Sequence, residues 1–98
     1  MLLKEFEFTG EITEEQEKKL LLAVRKEDKI YLTVECFLPF IDVLEGIRGF
    51  REVSEILADE ENIYAVKAIL IMQKPYENEK RIIKVKLFDN ESAHTDLL

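Results

Sequence analysis

FIDVLEGIRGFREVSEILA, residues Phe40 to Ala58, decides the fold. Phe40, Val43, Leu44, Ile47, Phe50, Val53 and Leu57 recur at spacings of three and four, the period of an amphipathic helix. Asp42 and Glu45 stand three residues apart, as in a capping box. Against a helix stand Gly46 and Gly49, each costing about 1 kcal/mol in a helix interior. Two readings follow. The whole segment is one helix whose glycines let it approach a sheet closely, or the helix starts after Gly49 and residues 40–45 form an extra strand. The apolar spacing favours the single helix. Asp59-Glu60-Glu61-Asn62 closes it, with Asn62 suited to a left-handed C-cap.

The flanking segments are strands. Ile30 to Leu38 alternates, with Ile30, Leu32, Val34, Cys36 and Leu38 on one face and Tyr31, Thr33, Glu35 and Phe37 on the other. Ile63 to Gln73 is apolar on both faces: Tyr64, Val66, Ala68, Leu70 and Met72 against Ile63, Ala65, Lys67, Ile69 and Ile71. A strand buried on both sides reads this way, so a central place is expected. Pro75 to Glu79 is a polar turn, and Arg81 to Phe88 is expected to return as a hairpin partner. At the other end, Lys4-Glu5-Phe6-Glu7-Phe8 alternates as a half-buried strand that Gly10 ends. Thr13 and Gln16 form a capping box ahead of a helix from about Glu14 to Lys26, whose apolar run Leu20 to Val24 rests its C-terminal half on the sheet.

The order strand, helix, strand, helix, strand, strand predicts an α+β or α/β two-layer sandwich. In it a mixed four-stranded sheet carries both helices on one face, and crossovers make adjacent strands parallel. The alternative at residues 40–45 gives a ferredoxin-like order. Residues 1–89 form one domain, as a 98-residue chain permits, and 90–98 are expected to be a frayed, flexible tail. A 47% apolar and 36% charged composition suits a soluble globular chain. No apolar run approaches the roughly 20 residues of a membrane span. The start has acids where a secretion signal has an apolar stretch. A single cysteine fits a reducing compartment, so a cytoplasmic location is expected.

Little in the chain suits catalysis. The one histidine, His94, falls in the tail, and Cys36 lies on an apolar strand face, where a thiol is inert. There is no Cys-x-x-Cys, no histidine pair and no calcium-loop spacing. Gly46-x-x-Gly49 lacks the partners of a phosphate loop. No catalytic residue, metal or cofactor is expected, and a non-enzyme is the better reading.

Charge is unevenly spread. From Met1 to Asn62 there are 8 basic and 16 acidic residues, from Ile63 to Phe88 6 and 2, and beyond Phe88 none and 3, giving the net of -7. With both helices on one face, the other face takes Glu5 and Glu7, then Tyr31, Glu35 and Phe37, then Lys67, Ile69 and Ile71, then Ile82, Lys84, Lys86 and Phe88. Lysines from one strand facing glutamates from others form cross-strand pairs, each contributing about 0.2–1 kcal/mol. The aromatic and aliphatic residues make this face the candidate partner-binding surface, for a homodimer or a partner protein. Two alternatives are weaker. One is an acidic inhibitor that mimics nucleic acid through Glu14, Glu15, Glu17, Glu52, Glu55, Asp59, Glu60 and Glu61. The other is nucleic-acid binding through a basic hairpin of Lys74, Lys80, Arg81, Lys84 and Lys86, with Tyr76 or Phe88 stacking on bases, which the net negative charge opposes.

Overall fold

The computed structural model describes residues 1–38, 43–72 and 80–89. Strand β1 (Leu2–Thr9) leads to helix α1 (Glu14–Arg25), β2 (Ile30–Leu38), α2 (Val43–Ile56), β3 (Ile63–Met72) and β4 (Ile82–Phe88). The result is the expected two-layer α+β sandwich with a mixed four-stranded sheet. Residues 43–45, part of the alternative extra strand, are helical. Residues 40–42 and the expected tail from 90 onward lie outside the described residues.

The strand order is β1-β4-β2-β3. β4 lies antiparallel to both β1 and β2, and β2 is parallel to β3. Three expectations are thereby corrected. β4 is no hairpin partner of β3, because β2 lies between them. β1 and β2 are not adjacent, because β4 is inserted between the ends of the first crossover. And β3, apolar on both faces, is an edge strand.

The core lies between the sheet and the helices. Phe8, the β2 residues Ile30, Leu32, Val34 and Cys36, and the β4 residues Ile83, Val85 and Leu87 are all buried. Leu20 and Val24 of α1 and Val53 and Leu57 at the α2 end close over them. Burying a side chain of this size stabilises by about 1.5–3 kcal/mol. The α1 capping box forms: Thr13 Oγ1 accepts from the Gln16 amide at 3.2 Å, and Gln16 Oε1 accepts from the Thr13 amide at 3.0 Å. In α2 both glycines face the sheet. A Cβ on Gly46 would collide with the Leu70 side chain, and one on Gly49 would lie 3.2 Å from Ile83 and 3.5 Å from the Cys36 sulfur. Close packing is what the two glycines provide.

Asn62 works differently from the expected left-handed cap, since no described non-glycine residue has positive φ. Its side-chain amide donates to the carbonyls of Val24, at 2.8 Å, and Glu27, at 2.7 Å. It thus pins the end of α1 to the start of β3. Glu45 likewise accepts from Arg48 and Arg81, while Asp42 lies outside the described residues.

Candidate interaction face

The register turns the side of the sheet away from the helices into a grid. One row reads Thr9, Ile82, Phe37, Ile71; the next Glu7, Lys84, Glu35, Ile69; the next Glu5, Lys86, Thr33, Lys67; and the last Leu2, Phe88, Tyr31, Ala65. The expected partner-binding residues Tyr31, Glu35, Phe37, Lys67, Ile69, Ile71, Ile82, Lys84, Lys86 and Phe88 all fall on this face; Leu3 and Ile63, which simple alternation also places here, do not.

Two β-bulges alter the edges of the grid, because an extra residue reverses the alternation beyond it. In β1 the register shifts between Leu2 and Lys4, so Leu2 stands opposite Phe88. Leu3 lines a cleft of about 380 Å³ with Phe6, Leu22 and Leu87 on the helix side. In the β2–β3 pair the shift falls beside Tyr31. Ile63 packs against the core, and the Tyr64 ring lies 5.0 Å from that of Tyr31. Simple alternation had placed Leu3 and Ile63 on the open face and Tyr64 beneath it.

Four of the six charges on this face form two internal pairs. Lys86 Nζ reaches Glu35 at 2.8 Å and Lys84 Nζ reaches Glu7 at 3.8 Å. Lys84 also lies over the Phe37 ring, 5.0 Å from its centre. The hydrogen bond to Glu35 raises the Lys86 pKa, opposed by partial burial and assisted by the charges of Glu35 and Glu5. Glu5, Glu7 and Glu35 balance Lys67, Lys84 and Lys86, so the face is close to neutral within a chain of net -7. At its centre the hydroxyl of Thr33, a residue 7% exposed, has no hydrogen-bond partner among the described residues. Tyr31, Phe37, Ile69, Ile71, Ile82 and Phe88 are half-buried by their neighbours.

Arg81 is the residue whose role the sequence conceals. Expected at the mouth of a hairpin and open to an outside partner, it is 7% exposed. Its guanidinium pairs with Glu45 at 2.9 Å and with Glu52, and its Nε donates to the Gly10 carbonyl at 3.4 Å. The Gly10 amide in turn donates to the Arg81 carbonyl at 3.0 Å. Arg81 therefore ties β1, β4 and α2 together. Cys36 lies nearby, its Sγ donating to the Gly46 carbonyl at 3.8 Å. Burial pushes the Cys36 thiol above its ordinary pKa; Arg81 opposes this and Glu52 adds to it. Such a thiol is a poor nucleophile.

The acidic residues of the helix layer divide. Glu52 is committed to Arg81, Glu60 to Arg25 at 2.8 Å and Glu15 to Lys19 at 3.6 Å. Glu17, Glu52 and Glu55, with Glu11, line a cleft of about 360 Å³ between the helices. Glu14, Asp59 and Glu61 are exposed. Lys74 and Tyr76, expected in the basic hairpin, lie outside the described residues. Among the described residues no group of three or more His, Cys, Asp or Glu side chains is arranged to hold a metal ion. No described helix is long and apolar enough to cross a membrane. Comparison with known proteins finds no matching family model and no matching curated sequence.

Proposed function

We propose that this chain is a small, acidic, non-catalytic protein-interaction module of the cytoplasm, docking a partner protein through the open sheet face. The observation that carries this reading is the internal pairing of Lys84 with Glu7 and Lys86 with Glu35. A face whose charges are already matched needs no counter-charges from its partner. What it offers is the aromatic and aliphatic surface of Tyr31, Phe37, Ile69, Ile71, Ile82 and Phe88. Aromatic side chains are enriched in interface cores. The partner surface is accordingly apolar and near neutral, such as a second sheet or an amphipathic helix.

The test is capture from host extract on the immobilised chain, compared with a Phe37→Lys plus Ile69→Lys variant whose far-ultraviolet circular dichroism matches wild type. The proposal expects a discrete protein to be retained by wild type and by Glu60→Gln plus Glu61→Gln, and lost with the open-face variant. The reverse pattern overturns it. That reverse pattern would favour an acidic inhibitor instead, a reading supported by the four carboxylates that line the interhelix cleft.

A further inference from the structure

The two edges of the sheet differ sharply. β1 carries Lys4, Glu5, Glu7 and Thr9 and is interrupted by a bulge at its start. Charges and bulges are how edge strands avoid pairing with other chains. β3 is ten residues long, and beyond its initial bulge it carries one charge, Lys67, among Ala65, Val66, Ala68, Ile69, Leu70 and Ile71. Among the described residues it pairs with β2 alone. Among the described residues no strand pairs with its other edge, and apart from Lys67 that edge carries none of the charges that usually protect one.

The helix layer is bare on the same side. The Glu45, Gly49, Glu52 and Ile56 flank of α2 faces Arg81 and α1. The opposite flank carries Val43 and Ile47, which are 51% and 45% exposed. In β3, whose Leu70 lies against Gly46 of α2, Val66 and Leu70 are 42% and 45% exposed, and Ala68 is exposed too. An isolated strand added at this edge would leave the α2 flank wet. Full burial requires an occupant with a strand and a helix layer in matching positions.

We infer that β3 pairs antiparallel with β3 of a second copy of this chain, forming a continuous eight-stranded sheet across a two-fold axis, with the Val43 and Ile47 flanks of the two α2 helices closing over the join. A two-fold axis perpendicular to the sheet keeps both helix layers on one side, so opposed residues share parity. With Ala68 on the axis, Val66 meets the partner's Leu70, Ala65 the partner's Ile71 and Lys67 the partner's Ile69. Ala65 then opposes Ile71 on one face, Val66 and Leu70 flank the Ala68 pair on the other, and no lysine faces a lysine. The apolar surface offered by β3 and the α2 flank is on the order of 500 Å² per protomer. With the strand edge added, this approaches the roughly 800 Å² per partner of a standard interface. Each protomer carries -7, so screening their mutual repulsion strengthens the association as salt rises.

This edge borders the open-face docking surface along Lys67, Ile69 and Ile71, but Val66, Ala68 and the α2 flank lie outside the open face, so substitutions there test the pairing separately. The test is the solution mass of the full chain by light scattering at about 100 µM, well above a micromolar Kd, together with disulfide trapping of Ala68→Cys. The expected mass is twice the 11.5 kDa of one chain. Val66→Lys, at an exposed position, should keep the wild-type circular dichroism and weaken the dimer at least about thirty-fold. Ala68→Cys should cross-link under mild oxidation. Lys18→Cys, on exposed α1 surface, should not, and neither should wild type, whose Cys36 is buried. A wild-type monomer, or a dimer that Val66→Lys leaves unchanged and Ala68→Cys fails to trap, overturns the inference.

Discussion

Neutralising both carboxylates that hold Arg81, with Glu45→Gln plus Glu52→Gln, should destabilise the protein more than removing the arginine itself. The reason lies in the unequal burial of the partners. Arg81 is 7% exposed, whereas the side chains of Glu45 and Glu52 are 31% and 36% exposed. In the double variant the guanidinium stays buried and loses its counter-charge, a change that costs about 3–5 kcal/mol. In Arg81→Met the stem is replaced by a chain of similar volume, and the two carboxylates can turn toward water. What is lost is the charge-assisted hydrogen bonding, about 1–3 kcal/mol. Urea unfolding at pH 7 measures both. With m roughly 1–1.5 kcal/mol per M for a domain this small, the midpoint should fall by roughly 2–5 M in the double variant and by roughly 0.7–3 M in Arg81→Met, always less than in the double variant. If Arg81→Met costs as much as the double variant, or more, the residue acts through packing and the charge argument fails.

Three further predictions concern other sites. Thr33→Val removes a buried hydroxyl without a described partner and should be neutral or stabilising by up to about 1 kcal/mol in the same unfolding assay; a clear loss would mean that the hydroxyl is bonded. Asn62→Ala removes the donor to the Val24 and Glu27 carbonyls and should cost about 1–2 kcal/mol. Proton exchange at the α1–β3 junction should rise with it. Lys86, whose pKa is raised by its bond to Glu35, contributes stability that is complete below the unfolded-state value near 10.4 and lost as pH climbs through the higher folded-state value. The stability gap between wild type and Lys86→Met should therefore be flat at neutral pH and shrink above about pH 10.5; a gap that grows with alkalinity would contradict the pairing.

Local structure was well encoded. The Thr13–Gln16 box, the alternation of Ile30–Leu38 and the three-and-four spacing beyond Phe40 each depend on neighbours within a few residues, and each element formed within a few positions of its expected bounds. Strand order depends on partners distant in sequence, and alternation carries no information about it. A signal was nevertheless present. The open-face glutamates come from β1 and β2 and two of the three lysines from β4, and one lysine strand can neutralise both acid strands only from between them. Alternation also failed at the two bulges, where Leu3, Ile63 and Tyr64 changed sides. Arg81 was obscure because nothing local distinguishes a buried arginine from an exposed one; its partners lie 36 and 29 residues away. The apolar character of β3 on both faces was read as central burial. At the edge of the sheet, the same composition is the basis for pairing with a second copy.

The claim that this acidic chain works through protein contacts is tested most directly by pairing its solution mass with titration of a single-stranded oligonucleotide at low and moderate salt. The account predicts a chain that ignores the oligonucleotide at both salts, and the β3 inference adds a mass of twice 11.5 kDa. A strict monomer that binds the oligonucleotide with an affinity falling steeply as salt rises would contradict it.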